Sequence, residues 1–272
     1  VADAGLDINN PPNDAESLLE WARAMTVRDG NTVTRSGIMM TGSGVQPTVT
    51  WGIVSHQMGF RRASDDLTTA CVNPEAGAAA MQWILDLFDT ERVSTRDVTD
   101  RYRAFGAGEG SMFWTGPWTV PGYIDINLPF ATVPMPAIGG AQHTYFELGG
   151  LELYTQTDPG RYEATMEAIK WLSDNSFLWT TIGRGAAVRN SILSREDYNT
   201  AGSPWEVRGA FVEGMAFADI LPVPVLAADD FEIYSGGNFL ATTIASVVAG
   251  EKTIEQMMDE LQVRWQAGLD AG

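Results

Sequence analysis

Apolar positions recur at helical spacing in several stretches of the chain. Leu18, Ala22 and Met25 form one face of a helix that Asn13 can cap from Asp14 onward, with Glu16 completing a capping-box spacing and Pro11-Pro12 fixing the entry. Residues 46–60 read as an apolar helix carrying Trp51, His56 and Gln57. Asn73-Pro74 opens another, in which Ala76, Ala80, Trp83, Ile84 and Leu87 share a face. Asp158-Pro159 begins a helix running to about Asn175, and helical character continues over 177–182 until Gly183 and Gly185 break it. Two helices close the chain, over 239–249 and from Thr253 to about Ala267. The second has a Thr253/Gln256 capping box and a stripe of Ile254, Met257, Met258, Leu261 and Trp265. Short apolar runs over 36–41, 111–115, 130–135 and 148–155 read as strands, the polar run 61–69 as a loop or short hairpin, and Pro222 and Pro224 as brackets of an extended crossing. Strands mixed with helices and no internal repeat indicate an α/β or α+β architecture.

The stretch 108–118, Gly-Glu-Gly-Ser-Met-Phe-Trp-Thr-Gly-Pro-Trp, concentrates the candidate chemistry. A short strand runs into Gly116, and Pro117 suits the first position of a helix, where its missing N–H costs nothing. Trp118 then falls in the first turn, beside backbone N–H groups that can donate to hydroxyls. Trp114 and Trp118 suit a platform for stacking a sugar ring, and equally a strand-turn-helix core.

Composition narrows the function classes. With 272 residues and 44% hydrophobic content, the chain can bury one large or two modest cores. Its formal charge of −18 repels nucleic-acid phosphates and anionic membrane surfaces. The longest apolar runs are too short for a membrane span. Cys71 is the only cysteine, so no intrachain disulfide can form. His56 and His143 are too few and too scattered along the chain to signal a metal site, and no cofactor motif occurs. The chain begins at Val1 without an initiator methionine or a leader, which suggests that something upstream has been removed.

Five ordered segments resemble the maltose-type, sugar-binding class of extracellular solute-binding proteins that serve ABC importers. Ala4-Gly5-Leu6-Asp7 with Pro11-Pro12 and Leu18-Leu19 is similar to that class's AGLD…PP segment. Residues 105–118 resemble its FxxGxxAMxxxGxW segment, Gly149-Gly150 its paired glycines at the inter-lobe crossing, residues 185–189 its GxxPxR loop, and 247–257 its closing GxxTxEEAL helix pair. The resemblance covers nearly the whole chain. It implies a periplasmic-binding-protein-like, two-lobe α/β fold, here mostly the second lobe with a helical remnant of the first. Residues 1–152 would begin the second lobe, 153–219 would return to the first, and 220–272 would supply the second lobe's closing helices. The strand-rich segment that opens such chains is lacking, as in a truncated or proteolysed protein.

By the same resemblance, Trp118 stacks on the ligand and Trp51 lies on the helix that borders the cleft; Trp114 and Gln57 are further ligand-binding candidates. Glu147, Gly149 and Gly150 would present a carboxylate and open backbone at the hinge, and Arg189 would reach a hydroxyl or an acidic substituent through its fork of donors. The implied ligand is a sugar or polyol, the partners are ABC permease subunits, and the location is periplasmic or extracellular. No cofactor, metal or covalent chemistry is required. A ligand-sensing protein reporting to a receptor would have the same cleft. A glycoside-acting enzyme would need paired carboxylates, but Asp65-Asp66 and Asp229-Asp230 are adjacent in sequence and read as solvated surface.

Overall fold

The first helix shows how local chemistry sets the boundaries. In the computed structural model α1 spans Ala15–Met25, and its cap is Asp14, one residue beyond the expected Asn13. The Asp14 carboxylate accepts from the Ser17 N–H at 2.8 Å while the Ser17 hydroxyl accepts from the Asp14 N–H at 3.3 Å. Serine at the third helical position thus closes the capping box in place of Glu16. The helix buries Leu18, Trp21, Ala22 and Met25.

The structure describes residues 1–145, 151, 153–181, 189–196, 209–219 and 238–271. The chain divides into two units, one of Val1–Trp114, Met135–Tyr145 and Phe217–Gly272, the other of Thr115–Pro134 and Phe146–Ala216. In the first unit α1 is followed by the antiparallel pair β1, Val27–Asp29, and β2, Thr32–Arg35. Then come α2, Val45–Gln57; the hairpin of β3, Arg61–Ala63, and β4, Ala70–Val72; α3, Pro74–Asp89; and α4, Arg101–Gly106. The polar run 61–69 is therefore a hairpin. In the second unit lie α5, Val120–Asp125; α6, Pro159–Asp174; α7, Ser176–Thr181; α8, Asn190–Leu193; and α9, Gly209–Gly214. The first unit is completed by β5, Thr144–Tyr145, pairing in parallel with β6, Ala218–Asp219, and by α10, Phe239–Val248, and α11, Ile254–Ala271.

The core of the first unit is built around Trp51. This residue is fully buried, with its ring 5.2 Å from that of Phe60 and 6.5 Å from that of Trp265. Met81, Ile84 and Leu87 from α3, Leu240 and Ile244 from α10, and Met257 and Leu261 from α11 join the same cluster. The stripe read for α11 is the buried face, apart from the half-buried Ile254, and its capping box forms: the Thr253 N–H donates to Gln256 Oε1 at 2.9 Å and the Gln256 N–H to Thr253 Oγ1 at 3.1 Å.

Two of the expected strands enter no ladder. Over 36–41 the backbone divides its bonds among several neighbours. The Ser36 N–H donates to Glu109 O, the Gly37 and Ile38 N–H groups both to Val93 O, and the Met39 N–H to Met112 O. Segment 111–115 lies alongside, joined through one parallel bridge between Ser36 and Gly110. Because Val93 takes two consecutive donors, the alternating pattern of a sheet cannot propagate. Residues 130–135 have no regular structure, nor do 151 and 153–155 of the expected strand 148–155, whose other residues lie outside the described ones.

The second unit has a small buried cluster, Ile192 packed with Phe177, Leu193 and Val212. Asp158 caps α6 as expected, accepting from the N–H groups of Gly160 and Arg161. Among the described residues no helix is long and apolar enough to cross a membrane.

Candidate functional site

The Gly116-Pro117-Trp118 turn takes the form its sequence suggests. Pro117 opens a single 3-10 turn, Pro117–Thr119, which runs into α5. Thr119 closes the turn by donating from its hydroxyl to Gly116 O at 3.1 Å. Trp118 folds back over Gly116 so closely that a Cβ there would come within 1.8 Å of the indole Cζ3. Only glycine permits this approach. Even so, Trp118 remains 52% exposed, an unusual state for so large an apolar ring. Trp118 thus has what a stacking platform requires, a positioned and accessible aromatic surface.

Trp114 differs. It is half-buried and packs against Trp83, with ring centroids 5.9 Å apart. Trp51 and Gln57 need correction as ligand-binding candidates. Trp51 has no exposed surface, and its indole N–H donates to Gly77 O at 2.9 Å, so it is a core residue. Gln57 is buried as a backbone clamp: its Nε2 donates to Pro136 O and His143 O, both at 3.0 Å, and its Oε1 accepts from the Gly139 N–H at 2.9 Å. Its polar atoms are engaged before any ligand arrives. Arg189 lies at the start of α8, ion-paired with Asp174 at 2.8 Å and donating to the Ser173 hydroxyl at 3.1 Å. This exposed pair leaves part of the guanidinium in solvent. Glu147, Gly149 and Gly150 lie outside the described residues.

A polar cluster missed by sequence reasoning gathers where α2 meets β5 and β6. His56 and His143 stack with ring centroids 3.8 Å apart and planes inclined by 23°. His143 is buried, and its Nε2 has no hydrogen-bond partner among the described residues. Asp219, at the exposed end of β6, completes a set in which one potential ligand atom from each residue lies within 4.8 Å of the others. The two histidines are therefore not scattered in space, whatever their distance in sequence. Burial pushes both imidazoles down to about 4; the neighbouring ring of His143 adds to this for His56, whereas the Asp219 carboxylate opposes it for each. Tyr145 packs edge-on to His143 at 5.8 Å and accepts from Arg62 Nη2 at 3.0 Å. The Tyr145 hydroxyl is pushed up to about 12 by burial, with Arg62 opposing. It fits because residue 52 is glycine, where a Cβ would meet that oxygen at 1.9 Å.

No protein-family model matches this chain, and no curated protein sequence does. Solved structures do match. The maltotriose-bound maltose/maltodextrin-binding domain MalE from Bdellovibrio bacteriovorus is similar with a TM-score of 0.72 and 17% identity, covering 97% of this chain and 68% of that one. The sugar-binding protein MalE from Xanthomonas citri gives a TM-score of 0.73 at 16% identity, over 99% of this chain and 66% of its own. A solute-binding protein of an ABC transporter from Agrobacterium radiobacter K84, in complex with ribitol, gives 0.69 at 21% identity, over 98% and 66%. The chain spans about two thirds of the length of these neighbours, and it has the periplasmic-binding-protein-like fold of sugar- and polyol-binding ABC solute-binding proteins.

Proposed function

We propose that this chain is the substrate-binding component of an ABC importer and holds a sugar or polyol through aromatic stacking and hydroxyl hydrogen bonds. The observation that carries the reading is Trp118, held over Gly116 and still 52% exposed at the head of α5. A pyranose or alditol presents a C–H face to such a ring while its hydroxyls seek directional donors. Arg189, with part of its guanidinium in solvent, is the candidate donor among the described residues. The structural neighbours support the ligand class, since those named bind maltotriose and ribitol. On this reading the protein binds and releases its ligand unchanged, works outside the cytoplasm, and delivers the ligand to permease subunits. Residues 1–152 and 220–272 supply the second lobe, and 153–219 return to the first.

The test is a panel of maltotriose, tagatose, ribitol and other sugars and polyols, screened against the full natural chain by thermal shift, with chromatography of the ligand afterwards. The expected outcome is saturable stabilisation by at least one compound, recovered intact. Failure of every compound to stabilise the protein would contradict the sugar-binding reading, and hydrolysis of an oligosaccharide would contradict the transport reading.

A further inference from the structure

We propose that His56, His143 and Asp219 form a binding site for a divalent transition-metal ion of the zinc class, which ties the C-terminal turn of α2 to β5 and β6. The three residues come from separate parts of the chain, and one potential ligand atom from each lies within 4.8 Å of the other two. His143 supplies a second, independent observation. It is only 6% exposed, yet its Nε2 has no hydrogen-bond partner among the described residues. An unpaired buried polar nitrogen is costly, and a metal–nitrogen bond would satisfy it.

The ligand chemistry selects the class of ion. Two imidazoles and one carboxylate suit zinc and its neighbours, whereas calcium and magnesium require oxygen ligands. Arg61 and Arg62 stand nearby and disfavour a cation held by weak contacts. Arg62 is occupied with the Tyr145 hydroxyl, and Arg61 donates to the backbone carbonyls of His56 and Phe60. An ion that forms strong bonds to neutral nitrogen, with the Asp219 carboxylate neutralising part of its charge, suits this setting better than a hard ion. Metal–ligand bonds of about 2.0–2.1 Å in a tetrahedral site place ligand atoms about 3.3 Å apart. The three groups must therefore draw together by about 1.5 Å at the widest pair. Asp219 is exposed and at the end of its strand, so it can swing inward, and His56, half-buried in the last turn of α2, must turn out of its 3.8 Å stack on His143 so that the ion lies in the plane of both rings. Three protein ligands leave a fourth position for water.

The location gives binding a structural consequence. β5 and β6 are only two residues each, too short to be stable as an isolated pair. They also end where the chain passes into the second unit, after Tyr145, and begin where it returns, at Phe217. Bound metal would staple both crossing strands to α2. The site lies wholly in the first unit and stands apart from the sugar-binding reading.

The experiment uses the full chain, free of any polyhistidine extension, stripped with chelator and titrated with zinc chloride. The expected result is one zinc per chain and an increase in melting temperature of about 5 °C at zinc concentrations about a hundredfold above Kd. Magnesium or calcium should produce no increase. Cobalt substituted for zinc should give the visible absorption of a four-coordinate site. Asp219→Asn, at an exposed position, should weaken zinc binding at least about tenfold without altering the metal-free melting temperature. His143→Gln should abolish it. Should His143→Gln fail to fold, Asp219→Asn and the cobalt spectrum decide. Absence of a zinc-dependent shift in the unaltered chain, or an undiminished shift in Asp219→Asn, would overturn the proposal.

Discussion

Helices α3 and α6 are both 16 residues long, and each begins with proline directly after a polar capping-position residue, Asn73 in one and Asp158 in the other. Their fates differ. α3 buries Ala76, Gly77, Ala80, Met81, Ile84, Leu87 and Phe88, whereas α6 has no fully buried residue and leaves Tyr162, Met166 and Trp171 exposed. Capping and propensity are enough to start a helix, but stability comes from the partner it packs against. α3 packs against α2 and α11; among the described residues α6 meets α7, and the apolar cluster of its unit, Ile192 with Phe177, Leu193 and Val212, takes no residue from α6. The contrast teaches that the first unit is the thermodynamic anchor of the described structure.

The sharpest way to break this comparison is truncation of one tryptophan on each side. Trp51→Ala should destabilise the protein by ~3–5 kcal/mol in urea unfolding, because it removes a fully buried ring and its bond to Gly77 O. Trp171→Ala, at a position 59% exposed, should cost no more than ~0.5 kcal/mol. Equal costs would show that the first unit is not the anchor.

Removal of the Gln57 clamp comes next. Gln57→Ala leaves two backbone carbonyls and one N–H without their buried partner and should cost ~1–3 kcal/mol, read from the same unfolding curves. A smaller loss would mean that the 135–143 segment is not held against α2 by this side chain.

Cys71 supplies a probe of the same packing. It is 3% exposed, and burial pushes its thiol up to about 12, so almost no thiolate exists at pH 8 in the folded protein. Alkylation by iodoacetamide should proceed only as fast as the first unit opens, and should accelerate sharply in denaturant. Labelling at the rate of a free thiol under native conditions would refute the tight packing around β4.

The smallest effect belongs to the surface pair of Arg23 and Glu91, 2.6 Å apart. The hydrogen bond from Arg23 holds the Glu91 carboxyl below its ordinary value. A depressed carboxylate contributes stability above that ordinary value and loses it as pH falls through the lowered one. Glu91→Gln should therefore cost at most ~1 kcal/mol at pH 7, and the difference from the unaltered protein should vanish on acidification.

Much of the helical architecture was legible because its signals are local. Asn73-Pro74, Asp158-Pro159 and the Thr253/Gln256 box each mark a helix start within a few residues, and periodicity picked out the faces of α3 and α11. The extended segments were less legible, since whether 36–41 enters a sheet depends on Val93, Glu109 and Met112, far away in sequence. Trp51 was misplaced although a signal was present. Residues 45–55 contain no charged side chain, and a helix without a polar face is buried on all sides. The histidine cluster left no such trace, because positions 56, 143 and 219 converge only through the pairing of β5 with β6. Trp118 was recognisable from its turn.

The central claim, that the Gly116-Pro117-Trp118 turn presents a sugar-stacking surface, is tested most directly by calorimetric titration of the best compound from the sugar and polyol panel into the unaltered chain and into Trp118→Ala. The account predicts binding to the unaltered chain and an affinity at least about tenfold weaker in the variant, with its melting temperature unchanged. Equal affinities in the two proteins would contradict it.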